Sequence, residues 1–328
     1  MKRFVVLAVI LVAMAAAIVI GAAWGPVPFS PAAIVSALTH PSAHDDAATV
    51  LWSLRLPRVA IAALVGAALA AAGLLMQDLL ANPLIDPYLT GTSAGAALAI
   101  AVAIAFGAPT GTYSAIALCA ALATTLLVAA LARTGTGLSV ERMIVAGIAL
   151  SSLFAGLTTL VILWSPSAAI SLSILAWLGG SLAGHGWSDL GWATLYALCG
   201  LGLALVTIPA LNALRLGTRR AQALGVDLDR TRWIVVIAAC LLTSAAVSVS
   251  GVIGFVGLMV PHIVRGAIGH DVRWTIAAAL PAGATILILA DAFARSAAPP
   301  TEIPLGILLS LLGVPAFLYL ASRRTKPA

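Results

Sequence analysis

Few side chains in this sequence could do chemistry, and where they stand matters more than how many there are. Arg215, Arg219, Arg220, Arg230 and Arg232 crowd into one segment, LNALRLGTRRAQALGVDLDRTRW from Leu211 to Trp233. Arg55 and Arg58 stand apart in LRLPR, and Arg295 in ADAFAR. Within the first segment Thr218 to Leu224 is amphipathic and Gly225 is a helix stop, which suits a small helix at a membrane face that docks a partner. Spacing alone leaves open a loop whose arginines only anchor topology. The other group lies on the side of the membrane where positive charge works against topology. Two reasons could retain it: an acidic partner docking from outside, or local ion pairs. Asp291 precedes Arg295 by one helical turn, and Glu302, Asp45 and Asp46 share that face.

Catalytic chemistry is hard to find. A Walker-type phosphate loop needs its lysine, and the lysines here are Lys2 and Lys326 at the two tails, so ATP must be bound by another subunit. Asp78 and Asp291, near helix ends, are read as the ionisable residues of the apolar runs, too few for a proton relay. Asp78 is expected at the inner end of its helix, with Asn82 or a backbone amide as partner. His40, His44 and His185 fall in outside loops, while His262 and His270 flank the inner end of an apolar run; none has metal-site spacing. Cys119, Cys199 and Cys240 lie inside apolar runs and read as small buried hydrophobes. No metal, cofactor or catalytic cluster is expected on this chain.

The elements that position these residues follow from composition. The chain is 62% hydrophobic and 9% charged, with a mean hydropathy of +1.12, whereas a soluble domain carries about a quarter of its residues charged. Apolar runs of bilayer length follow one another, predicting an all-α polytopic membrane protein with helices near 4–24, 59–80, 93–107, 112–132 and 142–164, then 188–209, 232–250, 252–268, 274–293 and 303–321. The run 168–180 is too short to span and reads as re-entrant or interfacial. Phe4 to Trp24 outlasts the apolar core of a cleaved signal, so it reads as a retained helix. The net charge of +6 sits in short loops and sets orientation, which removes nucleic acid as a partner. With the amino terminus inside, only Arg55, Arg58 and Arg295 fall outside among the 17 Lys and Arg residues, and both termini are cytoplasmic. Residues 1–328 form one domain, and the second to fifth and seventh to tenth helices read as a diverged repeat.

Taken together, six segments resemble the FecCD-type permeases, membrane subunits of ABC importers for iron-siderophores, haem and vitamin B12. They are LRLPR (54–58), GLLMQDLLANPLIDPYLTGTSAGA (73–96), LNALRLGTRRAQALG (211–225), GVIGFVGLMVPHIVRGAIGHDVR (251–273), ADAFAR (290–295) and EIPLGILLSLLGVPAF (302–317). The resemblance implies a type II importer permease of the bacterial inner membrane. It implies a homodimer around a central path, two cytoplasmic ATPase subunits holding ATP and Mg, and a periplasmic binding protein. It assigns Arg55, Arg58 and Arg295 to binding-protein docking. Within a coupling segment at about 211–228 it assigns Leu216, Gly217, Arg219, Arg220, Ala221, Leu224 and Gly225 to the ATPase. Ser139, Val140 and Glu141 match the gate, and Ala146, Gly147, Leu150 and Ser151 the path. The cargo it implies is an iron chelate, ferric siderophore or haem, with cobalamin as the alternative; a stand-alone secondary transporter or channel is the rival of another class. Asp78 stands where many relatives carry an uncharged residue.

Overall fold

The computed structural model describes residues 1–25, 36–37, 39, 46–135, 137–298 and 301–323; His40, His44, Asp45, Arg324 and Lys326 lie outside them. The apolar runs fold as helices: α1 (Lys2–Ala23), α2 (Leu56–Leu79), α3 (Thr92–Ala105), α4 (Tyr113–Leu131), α5 (Val140–Leu163) and α6 (Ala168–Leu178). They continue as α7 (Trp187–Leu214), α8 (Thr218–Ala223), α9 (Leu228–Ser250), α10 (Val256–Ile268), α11 (Val272–Ala294) and α12 (Leu305–Arg323). A short helix, Asp46–Val50, and a π-helical turn, Leu51–Arg55, lead into α2. Before α5 a small antiparallel hairpin pairs β1 (Arg133–Thr134) with β2 (Gly137–Leu138), in the register Arg133 to Leu138 and Thr134 to Gly137.

Helix positions follow the hydropathy reading, with a difference in kind at two of them. α3 and α10 have 14 and 13 residues, a reach of about 20 Å at 1.5 Å per residue, short of the ~30 Å hydrocarbon core. Each is a half-helix reached through chain that is not α-helical: 80–91 before α3, with a 3-10 turn at Pro87–Thr90, and 251–255 before α10. Pro83, Pro87 and Gly91 interrupt the first apolar stretch and Gly251 and Gly254 the second, so hydropathy runs on where the helix cannot. The expected span at 252–268 therefore starts late, at Val256. α7 instead runs past its expected end at 209, carrying Pro209 inside the helix.

The two interruptions meet inside the bundle. The Asp86 carboxylate accepts from the backbone N–H of Tyr88 at 2.9 Å, and a Cβ on Gly257, in the first turn of α10, would fall 2.7 Å from the Pro87 ring. Hydroxyls carry the contact on into α4, through Thr90 and Thr92 at 2.7 Å and Thr92 and Thr125 at 2.8 Å. α2 to α5 and α9 to α12 share one sequence of parts: a long helix, a return without α-helix, a half-helix and two further helices. The two sets run in opposite senses, as in inverted repeats.

α2 is the centre of the core; Ile61, Leu69, Leu74 and Leu75 are buried. It packs antiparallel to α11, and the two backbones touch at Gly66 and Gly283, where a Cβ on Gly66 would fall 2.2 Å from the Gly283 carbonyl oxygen. Val9, Val12, Trp192 and Val206 on α1 and α7 point outward, as lipid-facing side chains do. Cys119 and Cys199 share that exposure, which corrects the expectation that all three cysteines are buried; Cys240 alone is.

Candidate functional site

Helix directions gather Arg3, Arg133, Arg142, Arg215, Arg219, Arg220, Arg230, Arg232, Arg265 and Arg273 at one end of the bundle, the basic end, and Arg55, Arg58 and Arg295 at the other.

At the basic end the turn after α7 delivers α8. Gly225, with φ +83°, ends the helix in the left-handed region. The N–H of Val226 reaches back to the Ala221 carbonyl at 3.1 Å and that of Gly225 to the Gln222 carbonyl at 2.9 Å, the paired bonds of a Schellman stop. Ala221 is fully buried against the bundle, while Leu216, Gly217, Arg219, Arg220 and Leu224 are exposed. The predicted coupling residues thus form a basic and apolar outward face with one small anchoring residue beneath it.

Next to α8 lies a charge cluster that sequence reasoning missed. Asp78, in the last turn of α2, accepts through the same oxygen, Oδ1, from Arg215 at the end of α7 and from Arg265 of α10 at 2.9 Å. Arg265 also donates to Gln77, whose amide nitrogen donates to the carbonyls of Ile85 and Gly257 at 3.1 and 3.2 Å. Asn82, the expected partner of Asp78, instead accepts from the N–H of Leu84 at 2.9 Å and closes its own turn. Arg265 lies within a half-helix and is only 7% exposed, so Asp78 and Asp291 are not the sole charges of the spans. A buried aspartate near unassigned arginines in a chain with few charges was the available signal. Gln77, Asp78, Arg215, Arg265, His262 and His270 line a cavity of about 440 Å³.

The predicted gate and path residues divide. Ser139 caps α5, accepting from the Arg142 N–H at 3.4 Å, and Glu141 is exposed in the first turn. Gly147 is buried against the Leu89 carbonyl, and Ser151 and Leu150 are half-buried on the same side of α5 as the 87–91 segment. The open face of α5 carries Val145, Ala149, Ser152, Gly156 and Thr159 instead.

At the far end, Arg55 donates to the carbonyls of Ala22 and Ala23 at 3.1 and 2.8 Å, and Arg295 to that of Gly21. Two arginines thereby satisfy the last carbonyls of α1. Arg58 forks onto Asp291, with bonds of 2.8 and 2.9 Å, and reaches Glu302 at 2.8 Å. Arg295 approaches Asp291 at 3.8 Å. Hydrogen bonding to Arg58 holds the Glu302 carboxyl below the usual carboxylate range. Arg55 and Arg295 are 4% and 3% exposed, and the Arg58 side chain 12%, so all three spend their charge mostly within the chain. Asp46 is exposed nearby, and His185 pairs with Asp189 at 3.5 Å.

Comparison with known proteins matches this arrangement along nearly its whole length. The FecCD transport family profile covers residues 10–323. The chain is 40% identical over 287 residues to the hemin transport system permease protein HmuU of Yersinia pestis, a match covering 85% of each. It is 36% identical over 281 residues to the vitamin B12 import system permease protein BtuC of Vibrio cholerae, covering 84% of this chain and 83% of the relative. Its fold matches a solved structure assigned to the metal-chelate type of ABC transporter in an inward-facing conformation, with a TM-score of 0.87, 30% identity, and coverage of 97% of this chain and 98% of the other. The half-helices, the small helix after α7 and the arginines at the far end are therefore features of a protein that belongs to the FecCD transport family.

Proposed function

We propose that this chain is the membrane subunit of an ATP-driven importer that takes up an iron chelate, haem or a ferric siderophore. The observation that carries the reading is α8, a short helix held out from the basic end with Arg219, Arg220, Leu216 and Leu224 exposed. It is a seat for an ATPase subunit that supplies the nucleotide and magnesium this chain does not hold. The basic end then faces the cytoplasm of a bacterial inner membrane with both termini inside, in keeping with the positive-inside rule. Two copies form a homodimer whose path is bordered by α5, from the gate at Ser139, Val140 and Glu141 past the stretch from Ala146 to Ser151. Hydrolysis takes place on the ATPase, and this chain supplies the alternating path.

A periplasmic binding protein docks on the opposite end. Arg55 and Arg295, buried against α1, shape that face, and the Arg58 and Glu302 pair gives it an exposed charged edge. Charge reversal at Arg58 is expected to weaken binding-protein affinity in a salt-dependent way; unchanged affinity returns these arginines to a purely internal role. An iron chelate is favoured over cobalamin because the haem permease is the more similar of the two relatives, at 40% against 36% identity.

The deciding experiment reconstitutes the chain in proteoliposomes with its cognate ATPase and binding protein. Uptake of haem or a ferric siderophore is expected only when ATP and both partners are present. Uptake by the chain alone sinks the importer reading in favour of a secondary transporter or channel, and faster cobalamin uptake reassigns the cargo.

A further inference from the structure

The small helix α8 has a neighbour on each side in sequence, and the fold ties the two to different things. Upstream, Arg215 binds Asp78 of α2, and the Asn212 side-chain oxygen accepts from the Val272 N–H of α11 at 3.0 Å, so the end of α7 is fastened to the core. Downstream, the first turns of α9 reach the hairpin that precedes α5. Asp229 accepts from the backbone N–H of Leu138 at 2.8 Å, and Arg232 donates to the carbonyl of the same residue at 3.1 Å.

That pair of bonds closes an open strand edge. β2 pairs with β1 along one side, and the Leu138 N–H and C=O on its other side would be left without partners beside a packed helix. Residues three apart on a helix share a face, so Asp229 and Arg232 hold a single residue by both of its polar groups, as a neighbouring strand would. The fit leaves no slack. Gly137 has φ +109°, and a Cβ there would lie 2.3 Å from the Asp229 carboxylate. The Leu138 side chain is 1% exposed. The next residue, Ser139, is the N-cap of α5.

We infer that Asp229 and Arg232 are positioning residues that convert displacement of α8 into displacement of the α5 gate. This rests on the reading of α8 as the ATPase seat. Beneath α8, between α7 and α9, lies a cavity of about 510 Å³ lined by Pro209, Ala213, Leu224, Asp227 and Thr231. The joint of α8 and α9 has room to move relative to α7, whose own end is held by Asp78. Motion imposed on α8 is therefore passed forward, through two side chains and one peptide residue, to the cap of α5.

The test uses the reconstituted importer with Asp229→Asn, Arg232→Gln and Gly137→Ala, each assayed for ATPase co-purification, ATP hydrolysis and uptake per ATP hydrolysed. Co-purification and hydrolysis are expected to persist while uptake per ATP falls about tenfold, and Asp229→Glu is expected to recover part of it. Unchanged uptake per ATP in the three substitutions overturns the inference. A second measurement needs none of these variants to fold: spin labels at Gly135 and Arg230 should keep one separation through the ATP cycle, and a nucleotide-dependent change in it also overturns the inference. Failure of the underlying reading looks different, because ATPase co-purification would then survive charge reversal at Arg219 and Arg220.

Discussion

The antiparallel pair α2 and α11 ends, at each extremity of the bundle, in an aspartate shared by two arginines. Asp291 holds Arg58 and Arg295, and Asp78 holds Arg215 and Arg265. Both carboxylates sit in the last turn of their helix, where the macrodipole is negative, so each needs cationic company. The two clusters are wired differently. Arg58 engages both oxygens of Asp291 and the cluster closes back onto α1. At the basic end both arginines crowd onto one oxygen of Asp78, and among the described residues Asp78 Oδ2, Arg215 Nε and Arg265 Nε have no hydrogen-bond partner, whereas at the far end only Arg295 Nε, 3.8 Å from Asp291, is left so. A cluster whose carboxylate is saturated is a lock. One with a free carboxylate oxygen, beside a cavity and the α8 proposed as the ATPase seat, has alternatives within reach and can exchange partners.

The sharpest way to break this comparison is to remove each aspartate. Asp291→Ala leaves two buried guanidiniums without their carboxylate and should cost about 3–5 kcal/mol, read as unfolding in detergent. Asp78→Ala should cost less, about 1–3 kcal/mol, because Arg265 keeps Gln77 and Arg215 is partly exposed. The reverse order would refute the assignment of lock and exchange site.

The smallest effect belongs to the exposed arm of the lock. Glu302 is held below its ordinary range by Arg58, so its contribution is present at neutral pH and is lost as pH falls through that lowered value. Glu302→Gln should cost at most about 1 kcal/mol at neutral pH. It should also remove that acid-side loss from a stability profile measured against pH; an unchanged profile would show that Glu302 adds nothing to the lock.

Much of this was legible beforehand, and what was not has physical reasons. Hydropathy found the helices because a bilayer demands them, and charge asymmetry separated Arg55, Arg58 and Arg295 from the other basic residues. Hydropathy cannot tell an unbroken crossing helix from a half-helix reached through apolar chain, which is why α3 and α10 looked like continuous spans. The role of Asp78 was hidden by distance: its partners lie 137 and 187 residues away, and only the fold brings them together. The hairpin before α5 was overlooked although Gly135 and Gly137 frame a turn there, because two-residue strands carry no alternation to detect. The path residues show a finer difficulty. A helix face must be chosen to within a quarter turn, and Gly147 and Ser151 sit on the face that meets 87–91 while Ser152 and Gly156 lie open.

The glycine contact between α2 and α11 has a mechanical consequence. Backbones touching at Gly66 and Gly283, with an ionic cluster beyond each end, make a beam that can neither spread nor slide without losing contacts at several points along its length. Such a member acts as the keel of the subunit. In the proposed mechanism the strokes of the transport cycle then belong to the helices hung around it, above all α5, whose cap is held from the side by α9.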